Sequence, residues 1–272
     1  MKLDVLICTY NSGIEKAYDI LQEKKANVRY IVSHQYTDDK YRCIPAELER
    51  DDVLVTQIQG LGLSRNRNNA LKYTDSDIAL IADDDVKYLP DAFNNLLDIF
   101  KGNPCVDIAL FKIKTPEGEP EYKSYPQKSY QFNNSKNHSI SSIEIAFRPD
   151  RVKSSNIRFD ERFGLGNSFL IAGEENIFVF DCIRAGLKVM FYPIFIVEHT
   201  VNSTVRKIPT FGKPRIRLRA AMVAYKKPFL AIPIAFARTI KHTPVLIKLK
   251  QNPFIYLYEN LRAIIYVWTT KK

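Results

Sequence analysis

Cysteine is scarce in this chain. Cys8, Cys43, Cys105 and Cys182 are the only four in 272 residues, and no two form a CxxC pair. That spacing excludes a disulfide framework and a zinc finger or ribbon. Cys8 and Cys182 stand in apolar surroundings and read as small core residues. Long apolar runs are missing too. The stretch from Phe229 to Phe236 is eight residues long and holds Pro233. A helix needs about 20 apolar residues to cross a bilayer, so no crossing segment is expected. No basic, apolar and small-residue leader is present, because Asp4 interrupts the first apolar segment, and the expected location is cytoplasmic. Only Gly13 stands near the first strand, which argues against the glycine-rich loop of a nucleotidyltransferase.

Acid is nearly absent from the last quarter. From Val205 to Lys272 there are 15 Lys and Arg against one acid, Glu259, and the rest of the chain holds 25 basic against 29 acidic residues. The net charge of +10 therefore belongs to the tail. Basic chains often bind nucleic acid. No helix-turn-helix, zinc-finger or RNA-recognition pattern accompanies this charge, so nucleic acid is not an expected partner. The segment from Asn252 to Trp268 mixes Phe254, Tyr256, Tyr258, Tyr266 and Trp268 with Ile, Leu and Arg262. Rings and cations of this kind settle at a membrane interface, and an anionic membrane surface is the expected partner of the tail. The plainer alternative is helices that pack on the preceding residues with their cations solvated.

At 46% hydrophobic the chain can bury one large core, or a domain with a smaller extension. Strand and helix patterns alternate up to about residue 112, as in a mostly parallel α/β sheet. Strands are expected at 3–8, 28–33, 53–57, 78–82 and 106–112, with helices at 13–24, 64–73 and 90–100. A polar, turn-rich insertion follows at 115–142, including the run 133–137, and is a plausible lid over a substrate. Strand character returns at 143–147, a helix follows Gly173, and short strands at 188–192 and 195–199 close the domain. The expected division is 1–204 for this domain and 205–272 for a basic, aromatic, helical extension.

The densest chemical signal is Asp83-Asp84-Asp85, directly after the apolar run Ile78-Ala79-Leu80-Ile81-Ala82. A strand buried on both faces that ends in carboxylates points them out of the sheet edge, where open α/β sheets bind ligands. Adjacent carboxylates repel unless a cation neutralises them, and their hard oxygens suit magnesium, manganese or calcium. The plainer reading is a solvated acidic turn before a helix.

Four further stretches accompany this one in order: Thr9-Tyr10-Asn11 after the first strand, Gly62-Leu63-Ser64-Arg65-Asn66-Arg67-Asn68, Phe159-Asp160-Glu161-Arg162-Phe163-Gly164, and Gly173-Glu174-Glu175. Together they resemble the family-2 glycosyltransferases of the GT-A fold over about residues 1 to 200. The resemblance implies a glycosyltransferase of the hexosyltransferase type. It would be metal-dependent and inverting, and would move a sugar from a nucleoside diphosphate sugar, UDP-linked by preference, to a hydroxyl of a glycan or lipid-linked acceptor in cell-envelope polysaccharide synthesis. Its cofactor would be manganese or magnesium, and its place the inner face of the cell membrane. The alternative is a GT-A-like protein that binds membrane or polymer without turnover.

Residue by residue, the resemblance implies that Asp83 and Asp85 form the D-x-D pair. Asp85 would ligate the metal directly, and Asp83 would lie nearer the ribose or sugar while contributing to the metal site. Asp84 faces the other way along the strand and is either a donor contact or structural. Thr9, Tyr10 and Asn11 would hold nucleobase and ribose. The family's acidic turn after the second strand is replaced here, leaving Asp38 or Asp39 to reach the base, and His34 reads as a polar loop residue. Arg67 would contact the nucleotide or steady the aspartates. His199 would either complete the metal site or be a surface histidine at a strand end. The family's Gly-Glu-Asp appears as Gly173-Glu174-Glu175, so the general base would be Glu175, with Glu174 as the alternative. Both acids also suit a helix N-terminus on electrostatic grounds alone.

Overall fold

The computed structural model describes residues 1–133, 139–201 and 207–272. Most of the expected polar run at 133–137 and the expected domain boundary at 204/205 lie outside the described residues. Two compact units share the chain: Met1–Phe159 with Phe178–Val201, and Asp160–Ile177 with Asn202–Lys272.

The first unit is α/β. Its strands are β1 (Leu3–Tyr10), β2 (Val28–Tyr36), β3 (Val53–Gln59), β4 (Ile78–Asp83), β5 (Lys87–Tyr88), β6 (Ile108–Lys114), β7 (Tyr130–Gln131), β8 (Ile145–Phe147) and β9 (Val189–Glu198). They form one sheet in the order β3-β2-β1-β4-β8-β6-β9-β5, with β7 paired to β9. The four strands from β3 to β4 run parallel, as do β6 and β9, while β8 is antiparallel to both its neighbours. In β1, Leu3, Val5 and Ile7 enter one apolar cluster and Leu6 and Cys8 the other, so the strand is buried on both faces. Helices α1 (Leu63–Tyr73), α2 (Ala92–Gly102) and α3 (Pro149–Ser154) belong to this unit, and α4 (Glu174–Arg184) starts in the second unit and ends in the first.

Several elements differ from their sequence expectation, and the strand expected at 143–147 is a 3-10 turn over Ser142–Glu144 followed by β8. The segment after β1 winds as a 3-10 helix over Asn11–Ile20 and ends when the Leu21 amide bonds the Tyr18 carbonyl. The two strands expected at 188–192 and 195–199 are one strand, β9. It accommodates Pro193, which lacks an amide hydrogen, through a shift of register against β6 between Leu110 and Ile113.

The second unit is helical, with α5 (Lys213–Lys226), α6 (Ala231–Lys248) and α7 (Pro253–Thr269). Ala220, Ala221 and Ala224 of α5, Ala231 and Ala235 of α6 and Ala263 of α7 are buried in one cluster, and such small side chains let helix backbones approach closely. Pro233 does not break α6. It occupies the first turn, where no amide hydrogen is needed by the helix. Pro228–Lys248 is consequently long and apolar enough, by length and composition, to cross a membrane, which corrects the eight-residue limit read from the sequence.

Candidate active site

Parallel registry builds the first part of the site. Cys8 of β1 sits level with Ser33 of β2 and Asp83 of β4, so the C-terminal ends of the three strands open on one sheet edge. Gly13 follows β1 at close quarters. A Cβ there would lie 2.3 Å from Asp84 Oδ2 and 2.5 Å from Thr9 Oγ1, so only glycine lets the chain pass. Buried polar side chains underlie this edge. Asn66 of α1 donates to the Thr9 carbonyl (3.0 Å) and accepts from Ser33 Oγ (2.6 Å), while Asn69 donates to the same Ser33 oxygen (2.9 Å). Asn66 is thus used to tie α1 to β1 and β2.

The three aspartates face three different partners. Asp83 Oδ1 accepts from Arg67 Nη2 (2.9 Å) and Oδ2 from Ser142 Oγ (3.2 Å). Arg67 is buried and its guanidinium lies 5.6 Å from the Phe159 ring centre. Asp84 Oδ2 accepts from Thr9 Oγ1 at 2.6 Å. Burial pushes the Asp84 carboxyl up to about 6, the Thr9 bond opposes this, and the neighbouring charges of Asp83 and Asp85 add to it. Asp85 is 65% exposed and stands 3.3 Å from His199 Nε2.

The antiparallel pairing of β5 with β9, Lys87 opposite Glu198, is what brings His199 across from Asp85. His199 Nδ1 lies 2.7 Å from the Thr200 carbonyl, which only accepts, so Nδ1 carries a proton and Nε2 is turned toward Asp85. The bond to Asp85 raises the His199 pKa despite burial, and the bond to His199 lowers that of Asp85. A proton, or a cation in its place, is needed between a carboxylate and a ring nitrogen that face each other. Cis ligands of a small divalent ion stand about 3 Å apart, so the pair fits two places of a metal site. Among the described residues, no three His, Cys, Asp or Glu side chains converge on one point.

The family model for glycosyl transferase family 2 matches residues 4–167. The chain belongs to that family. Its fold is also that of S. aureus TarS. The structure of TarS 1-349 is 18% identical, with 82% of this chain and 66% of that one covered and a TM-score of 0.58. The complex of TarS 1-349 with UDP-GlcNAc gives 18%, 82%, 67% and 0.57, and the structure of TarS gives 20%, 82%, 40% and 0.53. The chain thus spans about two thirds of TarS 1-349 and 40% of the longer TarS structure. No curated protein matches it closely enough to count as a relative.

In this glycosyltransferase fold the remaining sequence candidates lie as follows. Tyr10 is exposed at the end of β1, with its hydroxyl 3.4 Å from Thr37 Oγ1. Asn11 adopts a left-handed backbone (φ 49°), and its side-chain oxygen accepts the Thr37 amide at 3.0 Å. Asp38 caps a 3-10 turn through the Lys40 amide, and Asp38 and Asp39 form loose, exposed pairs with Lys40 and Arg42. His34 is not a loop residue. It is fully buried in β2, where Nε2 donates to the Asn11 carbonyl (2.9 Å) and Nδ1 faces the Gln57 amide (3.1 Å). Burial lowers its pKa, and the Asn11 bond opposes the shift. A neutral imidazole thus holds the Asn11 turn.

Glu174 and Glu175 belong to the second unit, in the first turn of α4. Glu174 is buried, and Glu175 is half-buried with Oε1 accepting from Asn176 Nδ2 at 2.9 Å. Gly173 before them has φ 95°, and a Cβ there would meet Leu218 at 2.9 Å, so both conformation and space demand glycine. In the preceding motif Asp160 is fully buried and pairs with an arginine. It takes Arg162 through two nitrogens, and Arg162 Nη1 donates to the Val267 and Thr270 carbonyls at the end of α7.

Sequence reasoning missed Ser142 and Glu144. Glu144 is 1% exposed and accepts from the Ser141 amide (2.7 Å), Lys123 Nζ (2.8 Å) and the Tyr125 hydroxyl. It anchors part of the 115–142 insertion beside the serine that touches Asp83. The S-x-x-E spacing of Ser141 and Glu144 is a capping-box signature, and both of its bonds form here.

Proposed function

We propose that the chain is a metal-dependent, inverting glycosyltransferase that uses a nucleoside diphosphate sugar, by preference UDP-linked, and a hydroxyl on a glycan or lipid-linked acceptor of the cell envelope. The observation that carries this reading is the Asp85–His199 pair at the sheet edge, with His199 turned by Thr200 to present Nε2. Manganese suits such a mixed oxygen and nitrogen pair better than magnesium. When bound, the ion would neutralise charge building on the leaving diphosphate.

The chain's own groups supply the rest. Arg67 and Ser142 fix Asp83 toward ribose or sugar, and Asp84 with Thr9 sets the strand end from which Asp85 projects. Tyr10, Asn11 and the turn at Thr37–Asp39 offer a ring and polar edges to the nucleobase. Glu175 takes the proton of the acceptor hydroxyl as its oxygen bonds the anomeric carbon, and the diphosphate leaves with the electron pair from the opposite face, inverting that carbon. TarS 1-349 has been crystallised with UDP-GlcNAc and with UDP, which supports uracil as the first base to try. The basic tail, residues 205–272, supports an acceptor presented at the anionic cytoplasmic face of a membrane.

A binding protein that keeps the fold without turnover is the second reading. The replaced acidic turn after β2 and the Glu174-Glu175 pair in place of Glu-Asp favour it. One assay separates the two. With manganese, the transferase should hydrolyse one sugar nucleotide in a panel slowly, passing the sugar to water and releasing nucleoside diphosphate, and gain thermal stability with it. Stabilisation without turnover on any donor supports the binding protein, and neither effect with any donor rejects both.

A further inference from the structure

A helix at the surface of a soluble unit buries an apolar stripe and shows water a polar one. Helix α6 and the turn before it do this only in part. Ala231, Ala235 and Leu246 face inward, but Phe229, Ile232, Phe236, Ile240 and Ile247, three or four residues apart with one longer step across Pro244, are 96%, 41%, 47%, 75% and 63% exposed. They form a second apolar stripe, on the outside. Trp268 of α7 lines the same hollow as Pro228, Phe229 and Ile232, so the stripe gains the chain's only tryptophan at one end.

The charge around this stripe is of one sign. Lys227, Lys241, Lys248 and Lys250 are exposed beside it or at its ends. The tail's single acid, Glu259, is 3% exposed and held by Arg217 (2.6 Å) and Arg262 (3.6 Å), so the described tail shows no acidic side chain to solvent. A second copy of the same face would bring cation against cation. A crossing helix would carry Arg238 and Lys241 near its middle, and α6 gives one side to α5 and α7.

We propose that the outer stripe of α6 inserts lengthwise into the headgroup boundary of an anionic bilayer, with Trp268 beside it and the lysines reaching the headgroups. The inference rests on the membrane-surface reading of the tail and names the face and depth at which it works.

The test uses the full chain and vesicles of phosphatidylglycerol or of phosphatidylcholine, without donor. With phosphatidylglycerol, Trp268 emission should shift to the blue, and bromine near the headgroup end of the acyl chains should quench it most. Phe236→Glu with Ile240→Glu should lower vesicle affinity at least about ten-fold and leave helix content unchanged. Lys241→Gln and Lys248→Gln should each cost roughly five-fold and flatten the salt dependence. Salt-sensitive binding that survives the glutamates overturns the stripe while leaving the electrostatic attachment standing. Strongest quenching at the bilayer centre overturns the in-plane arrangement, and equal binding to both lipids, or none at low salt, overturns the proposal altogether. A dimer that the glutamates dissolve, with vesicle binding untouched, assigns the stripe to a second copy instead.

Discussion

The first unit buries Asp4, His34, Asn66, Arg67 and Glu144, whereas the second leaves Phe229, Ile240 and Phe254 in solvent. Each of those buried polar groups has a named partner, because an unpaired one costs more than an apolar residue in its place. What this framework holds up is small: Asp85, Tyr10, Asn11 and the ends of three strands. In the second unit the exposed apolar groups cost solubility and return nothing to the core. The contrast suggests that one unit is built to fix a few atoms and the other to present a surface.

The sharpest way to break this contrast is to remove the exposed carboxylate that the framework serves. Asp85→Asn should lower transfer about 1,000-fold, or about 4 kcal/mol in the barrier, with an unchanged melting temperature. Near-normal turnover of the variant with manganese present removes Asp85 from the metal site. The opposite pattern is expected of Asp4, which takes two nitrogens of Arg29 (2.9 and 2.8 Å), Thr74 Oγ1 and Ser76 Oγ and is fully buried. Asp4→Ala should cost about 2 kcal/mol of stability, since it leaves the buried Thr74 hydroxyl without its acceptor, while the partly exposed Arg29 keeps Asp75. Burial alone raises the Asp4 pKa, but the bonds from Arg29, Thr74 and Ser76 outweigh it and hold the group low. Its contribution is therefore present above the unfolded carboxylate value near 3.9 and lost as pH falls through the lower folded one. Acid melting curves of wild type and Asp4→Ala should draw together as pH falls below the unfolded carboxylate value near 3.9, and curves that stay parallel throughout the acid range remove Asp4 as the cause.

Between these extremes lies the base. Glu175→Gln should keep donor binding and slow transfer about 100-fold, with Glu174→Gln less damaging because that carboxylate is buried. If Glu174→Gln proves the more harmful by initial rates, the two roles exchange.

The parts of the first unit that were legible in the sequence are those with local causes. An apolar run of five ending in acids marks β4, and the motifs around Asn11, Arg67 and Asp85 single these residues out as candidates. Helix α6 runs past the expected eight residues because Pro233 falls in its first turn, where no amide hydrogen is needed, and the interior Pro244 does not end it. His34 was misread because a histidine among polar neighbours resembles a loop until strand pairing places Gln57 and the Asn11 carbonyl at its two nitrogens. Ser142 lies 59 residues from Asp83 in sequence, and no local pattern joins them.

That last pair gives the smallest expected effect and the finest test of the framework. Asp83 is held by a charged donor at 2.9 Å and a neutral one at 3.2 Å. Removing the hydroxyl leaves Arg67 in place, so Ser142→Ala should stay near the low end for a hydrogen bond to a charged group, about ten-fold in kcat/KM for the donor. The loss should fall mainly on KM if Asp83 faces ribose, and on kcat if it faces the transferring sugar. Thermal stability should not change. Glu144→Gln, by contrast, strips a buried charge from Lys123 and should lower the melting temperature as well. If Ser142→Ala leaves both kinetic constants unchanged while Glu144→Gln alters kcat/KM, the insertion reaches the site through another residue, and Arg67 alone orients Asp83.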